Sequence, residues 1–287
     1  MVFNWISKLQ KLTFILVTSL KLILMQNELK IVGIQADLVW ENPQQNCAFF
    51  EEKIKTLATD VDLIILPEMF TTGFTMHPEK VAEKMDGFSI SWMQNIAKEK
   101  QTAICGSLVI SENNTFYNRL VFVHPSGTTE TYDKRHAFTL AGEDKVYTAG
   151  SKKIIIEYKG WKICPFICYD LRFPVWIRNT DNYDLLIFMA NWPIARVKAW
   201  DTLLKARAIE NMSYVIGINR TGTDANNYSY SGNSLVIDYL GEELSSLQKN
   251  EVGFISTTLK KDEQDGIRKK LGFLNDMDSF NIEFSKQ

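Results

Sequence analysis

Trp161-Lys162-Ile163-Cys164-Pro165-Phe166-Ile167-Cys168-Tyr169-Asp170-Leu171-Arg172-Phe173-Pro174 joins an apolar run to a charged turn. The first seven residues predict a buried strand, and Asp170 is placed to cap the turn or helix that follows. The strand then delivers a thiol, Cys168, at its carboxyl end, where open α/β sheets place nucleophiles and ligands. Two other segments end in the same way. Leu63-Ile64-Ile65-Leu66-Pro67 leads to Glu68, and Thr128-Thr129-Glu130-Thr131-Tyr132-Asp133 leads to Lys134. Each of the three has an ordinary reading when taken alone: a small buried hydrophobe for the Cys, a surface or capping carboxylate, a solvated amine. Together, a carboxylate, an ammonium and a thiol at three strand exits form a candidate catalytic set.

Working outward, strand-like runs (30–37, 61–66, 102–110, 183–190, 214–219, 234–238 and 253–257) alternate with helix-like ones (42–59, 89–99 and 195–212). Asn42 or Asn46 can cap the first helix, with Phe49, Ile54 and Leu57 on its buried face. Leu203, Leu204, Ala208 and Ile209 have the apolar spacing of the last. Two hairpins are expected, 116–123 with 128–134 around His124-Pro125-Ser126-Gly127, and 153–157 with 161–168 around Lys159-Gly160. Hairpins set among helical crossovers predict an α/β fold with mixed sheets.

The 287 residues suit one large domain better than two small ones. A net charge of −2 leaves no basic footprint for nucleic acid. Four scattered cysteines give no disulfide framework, so a reducing, cytoplasmic setting is expected. His77, His124 and His136 have no ligand spacing, so neither a metal nor a cofactor is expected. Residues 1–25 have a basic start and an apolar middle broken at Lys21. That run is too short and interrupted to span a membrane, and it lacks a small-x-small cleavage site. A domain over 26–287, with Met25 as the true start, is expected; export or an interfacial helix is the competing reading.

At its three key segments the chain resembles the nitrilase superfamily, the carbon–nitrogen hydrolases. The resemblance rests on Leu66-Pro67-Glu68-Met69-Phe70, on Tyr132-Asp133-Lys134-Arg135-His136-Ala137-Phe138 and on Cys168-Tyr169-Asp170-Leu171-Arg172. Ala190-Asn191-Trp192-Pro193 and Ala206-Arg207-Ala208-Ile209-Glu210-Asn211 extend it, over roughly residues 29 to 260. It implies a four-layer α-β-β-α sandwich, a Glu68–Lys134–Cys168 triad and a supporting Glu143. Pro67 through Phe74, Tyr132-Asp133-Lys134-Arg135-His136, Cys168 through Trp176 and Asn191-Trp192-Pro193 are most similar to the omega-amidase branch, which acts on 2-oxoglutaramate and related 2-oxo-acid amides. Tyr169 stands where nitrile hydrolysers have Trp, and Ala137 departs from a usual Leu. The resemblance also implies a homodimer built near the nucleophile, for which Phe173, Val175, Trp176 and Ile177 are candidates, with ordinary core as the equal alternative.

The chemistry expected of such a set is nucleophilic. Cys168 attacks a small amide, Glu68 carries the proton to departing ammonia, and water then splits the thioester. Lys134 and the backbone N–H of Tyr169 stabilise the oxyanion. Glu143 positions Lys134 or the water. Arg196 would meet a substrate carboxylate, with Trp192 as a pocket wall; a surface position at a helix start is the plain alternative for Arg196. Arg172 is expected as a structural ion-pair partner. The rival readings are another carbon–nitrogen substrate (a carbamoyl amide or a nitrile), a Cys–His hydrolase, for which no second histidine motif exists, and a non-catalytic scaffold.

Overall fold

The computed structural model describes residues 27–283, so the expectation for residues 1–25 lies outside the described residues. The first sheet contains β1 (Glu28–Gln35), β2 (Leu63–Ile65), β3 (Ala103–Glu112), β4 (Thr115–Val123), β5 (Thr129–Asp133) and, at its far edge, β14 (Gly253–Lys260). Its spatial order is β14-β1-β2-β3-β4-β5, with β1, β2 and β3 parallel and the rest antiparallel. The second contains β6 (Ile156–Tyr158), β7 (Trp161–Ile167), β8 (Leu185–Ala190), β9 (Tyr214–Asn219), β12 (Leu235–Ile237) and β13 (Glu243–Ser246), in the order β13-β12-β9-β8-β7-β6. Here β7, β8 and β9 are the parallel core. Both sheets are therefore mixed, and both expected hairpins form. A ribbon of β10 (Thr221–Thr223) and β11 (Ser229–Ser231) stands apart.

Helix α1 (Pro43–Lys55) starts where the Asn42 side chain accepts from the Gln45 N–H at 3.1 Å, with Pro43 opening the first turn. Its Cys47, Phe50 and Ile54 face inward, a rotation from the expected stripe, since Phe49 and Leu57 are only partly buried. Asn46, the other cap candidate, is instead buried, donating to Val39 and Thr71 carbonyls. A short α2 (Pro78–Val81) precedes α3 (Phe88–Lys100), whose Ile90, Met93 and Ile96 join α1 in covering Ile64, Ile104, Leu108 and Val121 of the first sheet.

The order of the remaining layers is fixed by two glycines. A Cβ on Gly33 of β1 would lie 2.0 Å from Ile218 of β9, so the two sheets touch there. A Cβ on Gly217 would lie 2.4 Å from Leu204, on the helix that covers the second sheet, α5 (Val197–Asn211) after α4 (Pro174–Ile177). Successive strand residues point to opposite faces, so β9 shows Ile218 to the first sheet and Gly217 to α5. The layers run helix, sheet, sheet, helix.

Along α5 the expected apolar face is only partly correct. Ile209 is half exposed, whereas Trp200, Leu204, Arg207, Ala208 and Asn211 are buried. Arg207 is drawn in because it donates twice to the Leu171 carbonyl beside the Cys168 turn. The ribbon, β13 and a final α6 (Lys261–Leu271) carried no clear signal in the sequence. The α6 side chains Gln264 and Arg268 donate to the Met212 carbonyl, which explains a helix with almost no apolar face. Of the residues considered for a dimer surface, Trp176 and Ile177 are core, Phe173 is half-buried and Val175 is exposed. No helix among the described residues is long and apolar enough to cross a membrane.

Candidate functional site

Three strand exits converge between the sheets. Inward-facing positions of β3 and β4 alternate through the core as Ala103, Cys105 and Ser107, and as Phe122, Leu120 and Asn118. The last member of each row is polar and borders the site. Ser107 Oγ accepts from the Met69 N–H at 2.8 Å and bonds Asn118 Oδ1 at 2.9 Å, which points the Asn118 amide nitrogen at the carboxylates. Glu68 is held in the turn beyond β2, with Met69 at φ 42°.

Cys168 follows β7 in the left-handed region, φ 46°, and opens a 3₁₀ turn, Cys168–Arg172. A non-glycine residue at such a φ is strained and needs support from its surroundings. Buried Asp170 supplies it, accepting from the Ile167 N–H at 3.1 Å, the Tyr132 hydroxyl at 2.8 Å and the His136 N–H at 3.0 Å. His136 Nδ1 lies 2.7 Å from the same carboxylate, and its ring stacks on Phe173. Asp170 therefore lies inside its turn and reaches back to the residue before it, rather than capping the helix that follows, and it ties the exit of β5, which carries Lys134, to the exit of β7.

The charged groups are almost sealed from water. Lys134 Nζ is 2.9 Å from Glu68 Oε1 and 2.9 and 3.0 Å from the two oxygens of Glu143. Asn118 Nδ2 reaches Glu68 at 2.8 Å and Glu143 at 3.3 Å. The other Glu68 oxygen accepts from the Asn191 N–H at 2.8 Å, at the exit of β8. Glu143 also accepts from the Phe138 N–H. Lys134 thus bridges Glu68 and Glu143, and the Cys168 thiol lies close enough to feel all three charges.

Electrostatics follow from that crowding. Burial pushes the Cys168 thiol well above its ordinary range, the Glu68 charge and hydrogen bond add to this, and Lys134 opposes it. Burial alone would lower Lys134, but Glu143, Glu68 and Cys168 outweigh it and hold the ammonium above the ordinary lysine range. Glu143 is raised by burial and by Glu68, against the pull of Lys134. At neutral pH the resting site holds a thiol and an ammonium.

A cavity of about 460 Å³ opens over Cys168, lined by Tyr169, Trp192 and Arg196 together with Trp40, Phe74 and Tyr230. Trp192 lines this cavity. Arg196 lies in the wall too, its guanidinium 5.1 Å from the Phe138 ring centre, rather than on the outer surface. Arg172 departs from its expected role. Among the described residues it has no carboxylate partner, and it lines the cavity with its guanidinium 4.9 Å from the Trp192 ring centre. Sequence reasoning missed Asn118, Ser107 and the side chain of Asn191. Asn118 left a usable signal: a polar residue on the inward-facing alternation of an otherwise apolar strand.

Comparison with known proteins agrees with the geometry. The carbon-nitrogen hydrolase family model matches residues 30–269. Omega-amidase YafV of Yersinia enterocolitica is 40% identical over 252 residues, covering 88% of this chain and 98% of the relative. 2-Oxoglutaramate amidase of Bacillus subtilis is 32% identical over 249 residues, covering 85% and 95%. The crystal structure of XC1258 from Xanthomonas campestris, a CN-hydrolase superfamily protein with an arsenic adduct in the active site, aligns at a TM-score of 0.87 and 38% identity, covering 89% of this chain and 99% of that one. With a matching profile over most of its length and relatives this similar end to end, the chain belongs to the carbon–nitrogen hydrolase family.

Proposed function

We propose that this protein hydrolyses the omega-amide of small 2-oxo acids, such as 2-oxoglutaramate and 2-oxosuccinamate, to the dicarboxylate and ammonia through a thioester on Cys168. The observation that carries the proposal is a buried ammonium held by two carboxylates, with one thiol beside them beneath a cavity. Glu68 takes the Cys168 proton as sulfur attacks the amide carbon. The C–N bond then breaks, and Glu68 returns the proton to nitrogen as ammonia leaves. Water, deprotonated by Glu68, attacks the thioester and releases the acid. All three ammonium hydrogens of Lys134 face carboxylate oxygens, so Lys134 acts on the oxyanion through its charge. Glu143 holds Lys134 in place. The backbone N–H of Tyr169, in the first turn of the 3₁₀ segment, is the second oxyanion donor.

The substrate class follows from the wall. A 2-oxo-acid amide carries a carboxylate at its far end, and Arg196 and Arg172 offer guanidinium edges fixed by stacking on Phe138 and Trp192. A relative named 2-oxoglutaramate amidase, and another named omega-amidase, support the same class. Assembly as a homodimer and residence in the cytoplasm, where unpaired thiols persist, complete the proposal. Sedimentation reads the first; a monomer at micromolar concentration counts against it.

The deciding experiment measures ammonia release from 2-oxoglutaramate and 2-oxosuccinamate beside glutamine, a nitrile and a carbamoyl amide, with mass spectrometry of the quenched enzyme. The 2-oxo amides should be preferred and Cys168 should carry the acyl group. Turnover by Cys168→Ala at the wild-type rate overturns the mechanism, and preference for another substrate overturns the substrate class.

A further inference from the structure

Arg172 and Arg196 bring positive charge to the cavity wall, and Asp224, in the loop between β10 and β11, is the one carboxylate among the described residues that line it. His77 lines it too, but faces Glu79 at 3.6 Å, which offsets any charge it carries. A carboxylate in a cavity that receives an anion calls for an explanation. Asp224 is buried, and its carboxylate is held by neutral groups. Oδ1 accepts from the N–H groups of Asn226 at 2.9 Å and Tyr228 at 3.0 Å, and Oδ2 accepts from the Tyr230 hydroxyl at 2.8 Å. Arg220 stacks on the Tyr230 ring, its guanidinium 4.7 Å from the ring centre, but is paired with Asp37 at 2.8 Å. Among the described residues no cation lies within ion-pair distance of Asp224. Its charge is therefore fixed in place without being cancelled.

The loop alone needs an acceptor here, not a charge: an Asn side chain closes the same turn through the same oxygen. Position supplies a reason for the charge. Tyr230, which bonds Asp224, also lines the cavity. Burial pushes its phenol up, the Asp224 hydrogen bond and charge add to this, Arg220 opposes it, and Cys168 adds a smaller push. The phenol thus lies within electrostatic reach of both Asp224 and the nucleophile. Charge in a cavity with poorly hydrated walls acts over several ångströms and needs no direct contact with the ligand.

Hydrolysis changes the charge of the ligand. A 2-oxo-acid amide is a mono-anion, and its product carries a second carboxylate on the carbon that Cys168 held. Two guanidiniums alone would match that dianion and retain it. With Asp224 included, the wall carries a single net positive charge and matches the mono-anion instead. We propose that Asp224 is a specificity-determining residue that selects by charge, admitting the mono-anionic amide and disfavouring the dianionic product. The inference rests on the 2-oxo-acid amide reading above and adds a reason for the product to leave. The triad works in the same direction, because the new carboxylate forms over Glu68 and Glu143, which share one ammonium.

The test measures, by calorimetry, the binding of 2-oxoglutarate and of 2-oxopentanoate to the wild type and to Asp224→Asn. 2-Oxopentanoate keeps the first carboxylate, the oxo group and the chain length, and lacks the second charge. The Asn variant keeps an acceptor oxygen for both loop N–H groups, and its amide nitrogen can donate to the Tyr230 oxygen. Wild type should bind the dianion no more tightly than the mono-anion. Asp224→Asn should tighten 2-oxoglutarate relative to 2-oxopentanoate by about tenfold, and the gain should shrink as salt is added. A purely structural loss weakens both acids together; a ratio that stays at its wild-type value, or a gain indifferent to salt, overturns the proposal. If the variant does not fold, the wild type decides, and 2-oxoglutarate bound about tenfold tighter than 2-oxopentanoate overturns it. If wild type binds neither acid, the substrate class and the charge selection fall together. If both acids bind and the ratio is unmoved, the charge selection falls alone.

Discussion

Replacing Lys134 by Met removes the positive charge that two buried carboxylates share, and keeps most of the side chain's volume. In the wild type, Nζ lies 2.9 Å from Glu68 and 2.9 Å from Glu143, with all three side chains essentially out of contact with water. At an effective dielectric of about 20, each such pair attracts by roughly 6 kcal/mol before desolvation is counted. The net cost of deleting one partner of a buried pair is smaller, about 3 to 5 kcal/mol, because the remaining charge can take up a proton. The variant has the means to do so. Burial already raises the Glu143 carboxyl, and Lys134 is the charge that pulls it down. Without Lys134 it rises further. The folded variant then binds more protons than the unfolded chain between the ordinary carboxylate pKa and the raised folded value. Its stability is therefore greatest below that window and falls as pH rises through it. Urea unfolding at pH 5 and pH 8 should show a deficit of about 3 to 5 kcal/mol at pH 8. The deficit should narrow at pH 5 by roughly 1.4 kcal/mol for every unit by which the substitution raises the carboxyl. A melting temperature lower by about 10 °C at pH 8 would accompany it. A deficit that does not change with pH, or one below about 1 kcal/mol at pH 8, would falsify the picture of a shared buried cation.

The other expectations are simpler. Glu68→Gln removes both a charge and a hydrogen bond that raise the Cys168 pKa, so turnover should be lost while the pH midpoint for alkylation of Cys168 moves to lower values; a midpoint that stays or rises contradicts the assigned causes. Arg196→Gln and Arg172→Gln should each raise KM for 2-oxoglutaramate about tenfold or more with a smaller change in kcat, and steady-state kinetics that find both KM values unchanged would remove the arginines from carboxylate recognition. Gly33→Ala places a methyl 2.0 Å from Ile218; forcing it into the contact between the sheets should cost about 1 to 3 kcal/mol in urea unfolding, and a neutral result would mean that the layers are less closely packed than described.

How much of this could be read in the sequence depends on what kind of signal each part leaves. The parallel strands did, because they are buried on both faces and read as unbroken apolar runs: all six residues of β8 are buried. The meeting of the three strand exits left a trace as well, because three chemical groups at three such exits form a pattern independent of packing. Helix faces were less legible. On α5, Arg207 and Asn211 occupy buried positions that periodicity assigns to apolar residues, since their partners are backbone groups of distant turns. Helix α6 docks through Gln264 and Arg268, and no apolar stripe announces it. Arg172 was misread for a related reason. An arginine after a nucleophile suggests an ion pair, and only the fold reveals that its neighbour is the face of Trp192.

The balance of charge explains why the site needs two carboxylates for one ammonium. With Glu68 as the sole partner of Lys134, every transfer of the Cys168 proton to Glu68 would neutralise that partner and leave a buried cation alone, at the cost that attends unpaired buried charge. Glu143 prevents this. It grips Lys134 with both oxygens and is itself held by the Phe138 N–H and Asn118. Lys134 keeps a counter-ion whichever way the proton moves. Glu68 can then change its protonation state without moving the ammonium, and the cation remains where negative charge would develop on the substrate oxygen. Under the proposed mechanism, the same arrangement favours one group as the proton shuttle. Lys134 is held protonated by the charges around it, Glu143 has both oxygens committed to that ammonium, and Glu68 is the carboxylate that also meets the thiol.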